Sequence, residues 1–244
     1  MAKAAPAEQL RLLELQALDG RAKNLDVQAK TLRADPRLTA LQTELDGVQS
    51  ELSHFNVELA DAQSELKRAE ADVEQVVSRI DRDEARLKAG GLSKDLMALQ
   101  ADLVSLAKRR SDLEDTELEV MERVEEISAR QQGQLAIAEK AQSALAAVQA
   151  EIDAQLAVIA ADHATVLDQR LNLASTFDAG LLAIYDRTLE RRGIGAARLF
   201  HGTSEGSGMQ LSPGDLADLA KTAADEIVFC PDSGCILVRS SDWS

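Results

Sequence analysis

Stepping alternately three and four residues from Leu38, the chain reads Leu38, Leu41, Leu45, Val48, Leu52, Phe55, Leu59, Ala62, Leu66, Ala69, Val73, Val76 and Ile80, all apolar. That spacing keeps one seam on one helix face and demands a partner helix along its length. At about 1.5 Å per residue, Leu38 to Leu87 spans roughly 70 Å. The run stops at Gly90-Gly91, which breaks a helix and permits positive φ. Ser93 is the expected N-cap of the next helix.

A second seam then runs through Leu96, Leu99, Leu103, Leu106, Leu113, Val120, Val124, Ile127, Ala138, Ala141, Leu145, Val148, Ile152, Ile159, Val166 and Leu173. Its phase is unbroken, with polar residues at Arg110, Glu117, Gln131, Gln134, Gln155, Asp162 and Gln169. Two heptad helices joined by so short a turn fold back antiparallel. The turn position sets Leu66 opposite Glu117 and Val76 opposite Ala107, to within a helical turn. A further helix precedes Pro36, carrying Leu10, Leu13, Leu18, Leu25 and Leu32, and Pro36 fits a first-turn position.

The pattern changes near residue 177. Residues 177–192 read as a short helix (Leu181, Leu182, Tyr185, Leu189) ended by Gly193 and Gly195. Ala196-Ala197-Arg198-Leu199-Phe200 reads as a strand, and Ser212-Pro213-Gly214-Asp215 caps a short helix. Ile227-Val228-Phe229 and Ile236-Leu237-Val238 flank a turn as a hairpin. The fold class is therefore mainly α: a long antiparallel coiled-coil hairpin over 1–176, turning near 89–94, with a small β-rich domain inside 177–244. Phe200, Leu211, Ile227, Phe229 and Leu237 are the expected core of that domain, closed against the helix around Tyr185.

Composition supports the helices and narrows the partners. Aromatic residues are 2% of the chain, fewer than an enzyme core of this size normally packs. With 42 acidic and 27 basic residues the formal charge is −15, which opposes non-specific binding to nucleic acid or an anionic membrane. No signal-peptide core and no uninterrupted apolar stretch of membrane length is read in the sequence, so a cytoplasmic location is expected. Cys230 and Cys235 are too few for a disulfide framework and are expected as thiols.

Three stretches together resemble the bacterial family that joins a coiled-coil hairpin to a C-terminal C4-type zinc ribbon. They are residues 90–100 (Gly-Gly-Leu-Ser-Lys-Asp-Leu-Met-Ala-Leu-Gln), residues 109–122 around Arg109-Arg110-Ser111-Asp112-Leu113-Glu114, and a C-terminal frame. Gly195-Ala196-Ala197-Arg198-Leu199 opens that frame and Ile236-Leu237-Val238-Arg239 closes it. The resemblance implies two C-x-x-C knuckles holding zinc. Here the ligand positions align with Ser204, Ser207, Cys230 and Ser233, so three of four thiolates are missing. A serine hydroxyl stays protonated near neutral pH, whereas structural zinc takes thiolate or imidazole in a tetrahedral array. No cofactor and no metal is expected. An improvised site from His201, Cys230 and Cys235 with Asp232 or Glu205 is the weaker reading, as is redox chemistry at a C-x4-C spacing.

The compact basic run Lys108-Arg109-Arg110 precedes a strongly acidic stretch from Asp112 to Glu126, and is a candidate docking stripe. No phosphate loop, nucleophile elbow or histidine-centred catalytic motif is read, so no catalytic residue and no enzyme is expected. Studied relatives of the resembling family look like chaperones or adaptors of secretion and motility systems, which implies protein partners. The alternative is a nucleic-acid-binding regulator of zinc-ribbon type. Residues 194–244 hold Arg198, Lys221 and Arg239 against seven acids, the wrong sign for phosphate binding.

Overall fold

The computed structural model describes residues 3–243. Its elements are α1 (Pro6–Arg33), α2 (Pro36–Ala89), α3 (Ser93–Ala174), α4 (Ala179–Arg192), β1 (Ala196–Phe200), β2 (Thr203–Ser204), β3 (Met209–Gln210), α5 (Pro213–Lys221), β4 (Val228–Phe229) and β5 (Ile236–Arg239). Two compact units emerge: residues 36–149 form one, and residues 1–35 with 150–244 form the other. The 82-residue helix α3 contributes to both.

In the first unit α2 and α3 fold back as an antiparallel hairpin. Pro36 opens α2 at the position where its missing N–H is harmless, and Gly90, at φ 81°, ends it. The amides of Asp95 and Leu96 both donate to the Leu92 carbonyl, so Leu92 caps α3 and the expected cap Ser93 is its first helical residue. The heptad seam is realised: Leu45, Val48, Ala62 and Val76 of α2 are buried, as are Leu106, Val120, Ile127 and Ala141 of α3. The phase continues to Asp83, which is buried and neutralised by Arg79 at 3.7 Å and Arg86 at 3.5 Å.

Side-chain pairs across the hairpin sit further along α3 than the turn-derived register expects. Glu65 meets Arg123, Asn56 meets Gln131 and Glu51 meets Gln134. Side chains on a helix lean toward its N-terminus. In an antiparallel pair those leans converge, so the partner on α3 lies a few residues beyond the level of the α2 residue. The apolar seam itself keeps the expected level, with Val76 and Leu106 lining one cleft.

The unbroken phase expected for α3 is not what forms. After Ile152 the inward positions are Leu156, Ile159, His163, Val166, Arg170 and Leu173, while the expected Gln155, Asp162 and Gln169 are exposed. Two consecutive four-residue steps, Val148 to Ile152 to Leu156, rotate the stripe in the manner of a stutter. Beyond that point α3 pairs antiparallel with α1, through Arg170 to Asp19 at 2.7 Å and His163 to Asp26 at 3.5 Å. One 18-residue window of α3 is apolar enough, by length and composition alone, to cross a membrane. Glu151 and Asp153 interrupt the apolar part of α3, so it is not an uninterrupted apolar run of that length.

The second unit is a five-stranded sheet of order β3-β2-β1-β5-β4, in which β1 and β5 are parallel and the other pairs antiparallel. Strand side chains alternate between faces. Ala196, Ile236 and Val238 turn to one face and pack with Leu12 and Leu15 of α1 and Leu181 and Tyr185 of α4. Ala197, Leu199 and Leu237 turn to the other and pack with Leu211, Leu219, Cys230 and Cys235. Burial on both faces is the usual condition of a parallel pair. Of the expected core, Leu211, Ile227 and Leu237 are buried, whereas Phe200 and Phe229 are exposed. Small buried cysteines and alanines on the inner face leave those rings at its rim.

A part-buried polar knot fixes α1 to this sheet. The Gln16 carbonyl oxygen accepts from the amides of Gly195 at 2.7 Å and Ala196 at 3.2 Å. The Tyr185 hydroxyl donates to Asp19 at 2.7 Å, and Arg170 joins Asp19 to Asp186. Burial, then the Asp19 carboxylate, raises the Tyr185 pKa, so the hydroxyl remains a donor. A side chain at residue 195 would lie 2.4 Å from the Tyr185 ring, which explains a glycine there.

Ile127→Asp is expected to lower hairpin stability by about 3 kcal/mol or more, because it buries an unpaired charge and removes apolar packing. Leu118→Asp, at a position 56% exposed, is expected to change it by less than about 0.5 kcal/mol. Urea unfolding followed by circular dichroism reads both; equal effects would sink the seam assignment.

Candidate functional site

The sheet brings two tight turns together at one edge of the second unit. The first, residues 204–208, joins β2 to β3 and closes with the Gly208 amide donating to the Ser204 carbonyl at 2.8 Å. The second joins β4 to β5. There the Gly234 amide donates to the Cys230 carbonyl at 2.9 Å and the Cys230 amide to the Cys235 carbonyl at 2.8 Å. Because Phe229 pairs with Ile236, the next pair across the hairpin is Cys230 and Cys235. A Cβ on Gly206 would lie 2.8 Å from the Cys235 sulfur and 2.8 Å from Ala197 Cβ, so the turns pack without room for a side chain.

The four positions aligned with zinc ligands do converge. Ser207 Oγ is 3.9 Å from the Cys230 sulfur, and the Ser233 amide points at that sulfur from 3.5 Å. Ser233 Oγ is 3.1 Å from the Cys235 sulfur. Ser204 is fully buried and its hydroxyl has no partner of ordinary hydrogen-bond geometry. It interacts instead with the Cys230 sulfur, where it favours the thiolate. Burial works against ionisation of Cys230, but the donors from Ser204, Ser233 and the Asp232 amide outweigh it and lower the thiol to about 7. Cys235 moves the opposite way, raised chiefly by burial.

A C4-type ribbon implies zinc, and the donor set does not fit it. One thiol and three neutral hydroxyls stand at the aligned positions, and three hydroxyls cannot replace three thiolates around zinc. Cys235, two positions beyond the ligand register, supplies a second sulfur that abuts Gly206 and is held by Ser233. Among the described residues no group of three or more His, Cys, Asp or Glu is gathered for a metal. His201 lies at φ 42° with its ring edge-on to Phe200 at 4.3 Å.

The basic run is elsewhere. Lys108, Arg109 and Arg110 are exposed on α3 in the hairpin unit. Arg110 pairs with Glu114 at 3.1 Å, and Arg109 lines a cleft with Asp72, Arg79 and Asp102. Of the three, Arg110 is thus paired with an acid on its own helix. The sequence reading missed the β2–β3 hairpin. The hairpin it did read, 227–229 with 236–238, forms, and its register sets Cys235 across from Cys230.

A long antiparallel helical hairpin, carried with a sheet built on two knuckle-like turns, defines a coiled-coil hairpin protein with a zinc-ribbon-type C-terminal part. The chain belongs to the family of the CT398-like coiled coil hairpin domain, whose model matches residues 15–193. The C4-type zinc ribbon domain matches residues 203–237. An uncharacterised protein of Mycobacterium tuberculosis is 37% identical over 160 residues, and the chain spans 65% of that relative's length. An uncharacterised protein of Mycobacterium leprae is 27% identical over 64% of this chain and 68% of its own. A solved structure from Mycobacterium smegmatis superposes with a TM-score of 0.87 at 28% identity, covering 97% of this chain and 100% of that one. CT398 from Chlamydia trachomatis superposes at 0.68 with 19% identity, over 96% and 98% of the two chains, and shares the fold.

Two outcomes are expected at this site. Purified protein dialysed against a chelator should retain far less than one zinc per chain by elemental analysis, with an unchanged thermal midpoint. Stoichiometric zinc that resists the chelator would overturn the donor-set argument. In a Cys235→Ser variant, thiolate absorbance should rise with a midpoint near pH 7, since a lowered pKa keeps the thiol ionised above that value and protonated below it. A midpoint near the ordinary thiol value would mean that Ser204 and Ser233 do not stabilise the thiolate.

Proposed function

We propose that this protein is a non-enzymatic cytoplasmic scaffold or chaperone-like adaptor that binds other proteins through its hairpin, with the ribbon-like part as a second docking site. The observation that carries the reading is at the hairpin turn. Leu92, Met97 and Val104 are respectively 76%, 70% and 73% exposed, and they lie off the buried seam. Apolar side chains offered at the end of a rigid helical pair suit capture of an apolar segment on another protein. The polar and charged faces of α2 and α3 then keep the free protein soluble. Nucleic-acid binding, the other reading of a ribbon fold, is opposed by the net charge of −15.

The test uses the full chain, because Leu12 and Leu15 of α1 share a core with Ile236 and Val238 and would be uncovered by deleting the C-terminal strands. A photocrosslinking residue at Met97 is expected to capture one reproducible set of proteins in the native cell. Replacing Leu92, Met97 and Val104 together by Ser should reduce that capture at least about tenfold while helicity is unchanged. Capture that survives this variant would remove the turn region from the reading. A mobility shift with DNA or RNA at low salt would favour the regulator instead.

A further inference from the structure

Helix α4 presents a second face, of which the core uses only part: Ile184 packs against it and Thr188 is buried, while the arginines are exposed. Ile184, Arg187, Thr188 and Arg191 recur at three- and four-residue spacing, so they share one side of the helix. With Arg192, Phe229 and Gly234 they enclose a cleft of about 470 Å³ between α4 and the β4–β5 turn. That volume lies within the range of small-ligand sites.

Three guanidiniums therefore line one concavity in a chain of net charge −15. No Asp or Glu lines it with them. Asp186, on the same helix, is taken by Arg170 at 2.6 Å. Among the described residues, no ion pair joins Arg187, Arg191 or Arg192 to an acid. The helix dipole accounts for cations in the last turn of α4, where Arg191 and Arg192 stand. It does not account for Arg187 a turn earlier, nor for the half-exposed ring of Phe229 in the same cleft. Arg192 is also held in place. A Cβ on Gly234 would lie 2.8 Å from its Nε and 3.2 Å from its Cζ, so its side chain rests on bare backbone.

We propose that this cleft binds a phosphate monoester that carries a flat apolar group. Guanidinium forks match phosphate oxygens in pairs, and three of them suit a dianion better than a single carboxylate. Phe229 and Ile184 supply the surface on which the flat group rests. A long polyanion is disfavoured by the acidic surroundings, since residues 194–244 carry three basic against seven acidic side chains. The same chemistry is found on a free small molecule and on a phosphorylated tyrosine of a protein.

Calorimetric titration of the full chain distinguishes these. The probes are phenyl phosphate, adenosine 5′-monophosphate, a short phosphotyrosine peptide and inorganic phosphate. At least one organic probe is expected to bind about tenfold or more tightly than inorganic phosphate. The double variant R187A/R191A should weaken it about tenfold or more. Phe229→Ala should weaken the organic probe and leave inorganic phosphate unchanged, and Arg21→Ala should change neither. A peptide at least about tenfold tighter than phenyl phosphate assigns the source to a modified protein; otherwise the source is a free ester. The arginines are exposed, so circular dichroism of the variants should match the parent. Absence of saturable binding by any probe, equal affinity for inorganic phosphate, or binding unaltered in R187A/R191A overturns the proposal.

Discussion

An 82-residue helix in water persists when its apolar stripe is covered, because packing of that stripe contributes more than helix propensity. Everything in this chain is arranged around that requirement for α3. Its first part is covered by α2 and its last part by α1, and the stripe changes phase between them. The shift near Ile152 is the mark of the change in partner: one helix serving two partners in turn rotates its buried face, and two four-residue steps do this. The N-terminal end of α1 and the C-terminal end of α3 then provide the surface on which the sheet is assembled.

A small ribbon ordinarily relies on a metal crosslink because its own core is too small. Here the sheet is covered on both faces, by α1 and α4 on one side and by α5 with the two cysteines on the other. Arg239 reinforces the second side by donating to the carbonyls of Leu219, Thr222, Ala223, Ala224 and Glu226, which fixes the chain between α5 and β4. The Gln16–Tyr185–Asp19 knot does the same at α1. Backbone carbonyls bound by Arg239, backbone amides bound by Gln16 and an apolar layer on each face hold the sheet together.

The cysteine site and the arginine cleft are two sides of the same β4–β5 turn. On the inner side the turn places Cys230 among hydroxyl and amide donors, which favour its thiolate. On the outer side Gly234 leaves a flat backbone against which Arg192 lies. The geometry of the turn is kept by hydrogen bonds between Cys230, Gly234 and Cys235.

The sequence by itself determined the helices, their ends and the hairpin. The heptad seam from Leu38 to Ile80, Pro36 and Gly90-Gly91 are local signals, and each acts within a few residues of the break or stripe it specifies. The caps at Ser212 and Gly193 are of the same kind, whereas Ser93 failed because Leu92 had already closed the first turn. The aligned ligand positions were also legible, since residue type alone decides whether a side chain can bind zinc as a thiolate. Tertiary structure decided the rest. The phase shift of α3 follows the helix that faces it: beyond Leu156, His163 and Arg170 take inward positions because α1 supplies Asp26 and Asp19 opposite them. The parallel pairing of β1 with β5 joins strands separated by β2, β3, α5 and β4, so its partner choice is set by closure of the sheet on α1. Phe200 and Phe229, apolar enough for a core, stand outside it because Cys230, Cys235 and Ala197 fill the space between the turns. Exposure of a side chain depends on its neighbours, and the neighbours here come from residues far away in the chain.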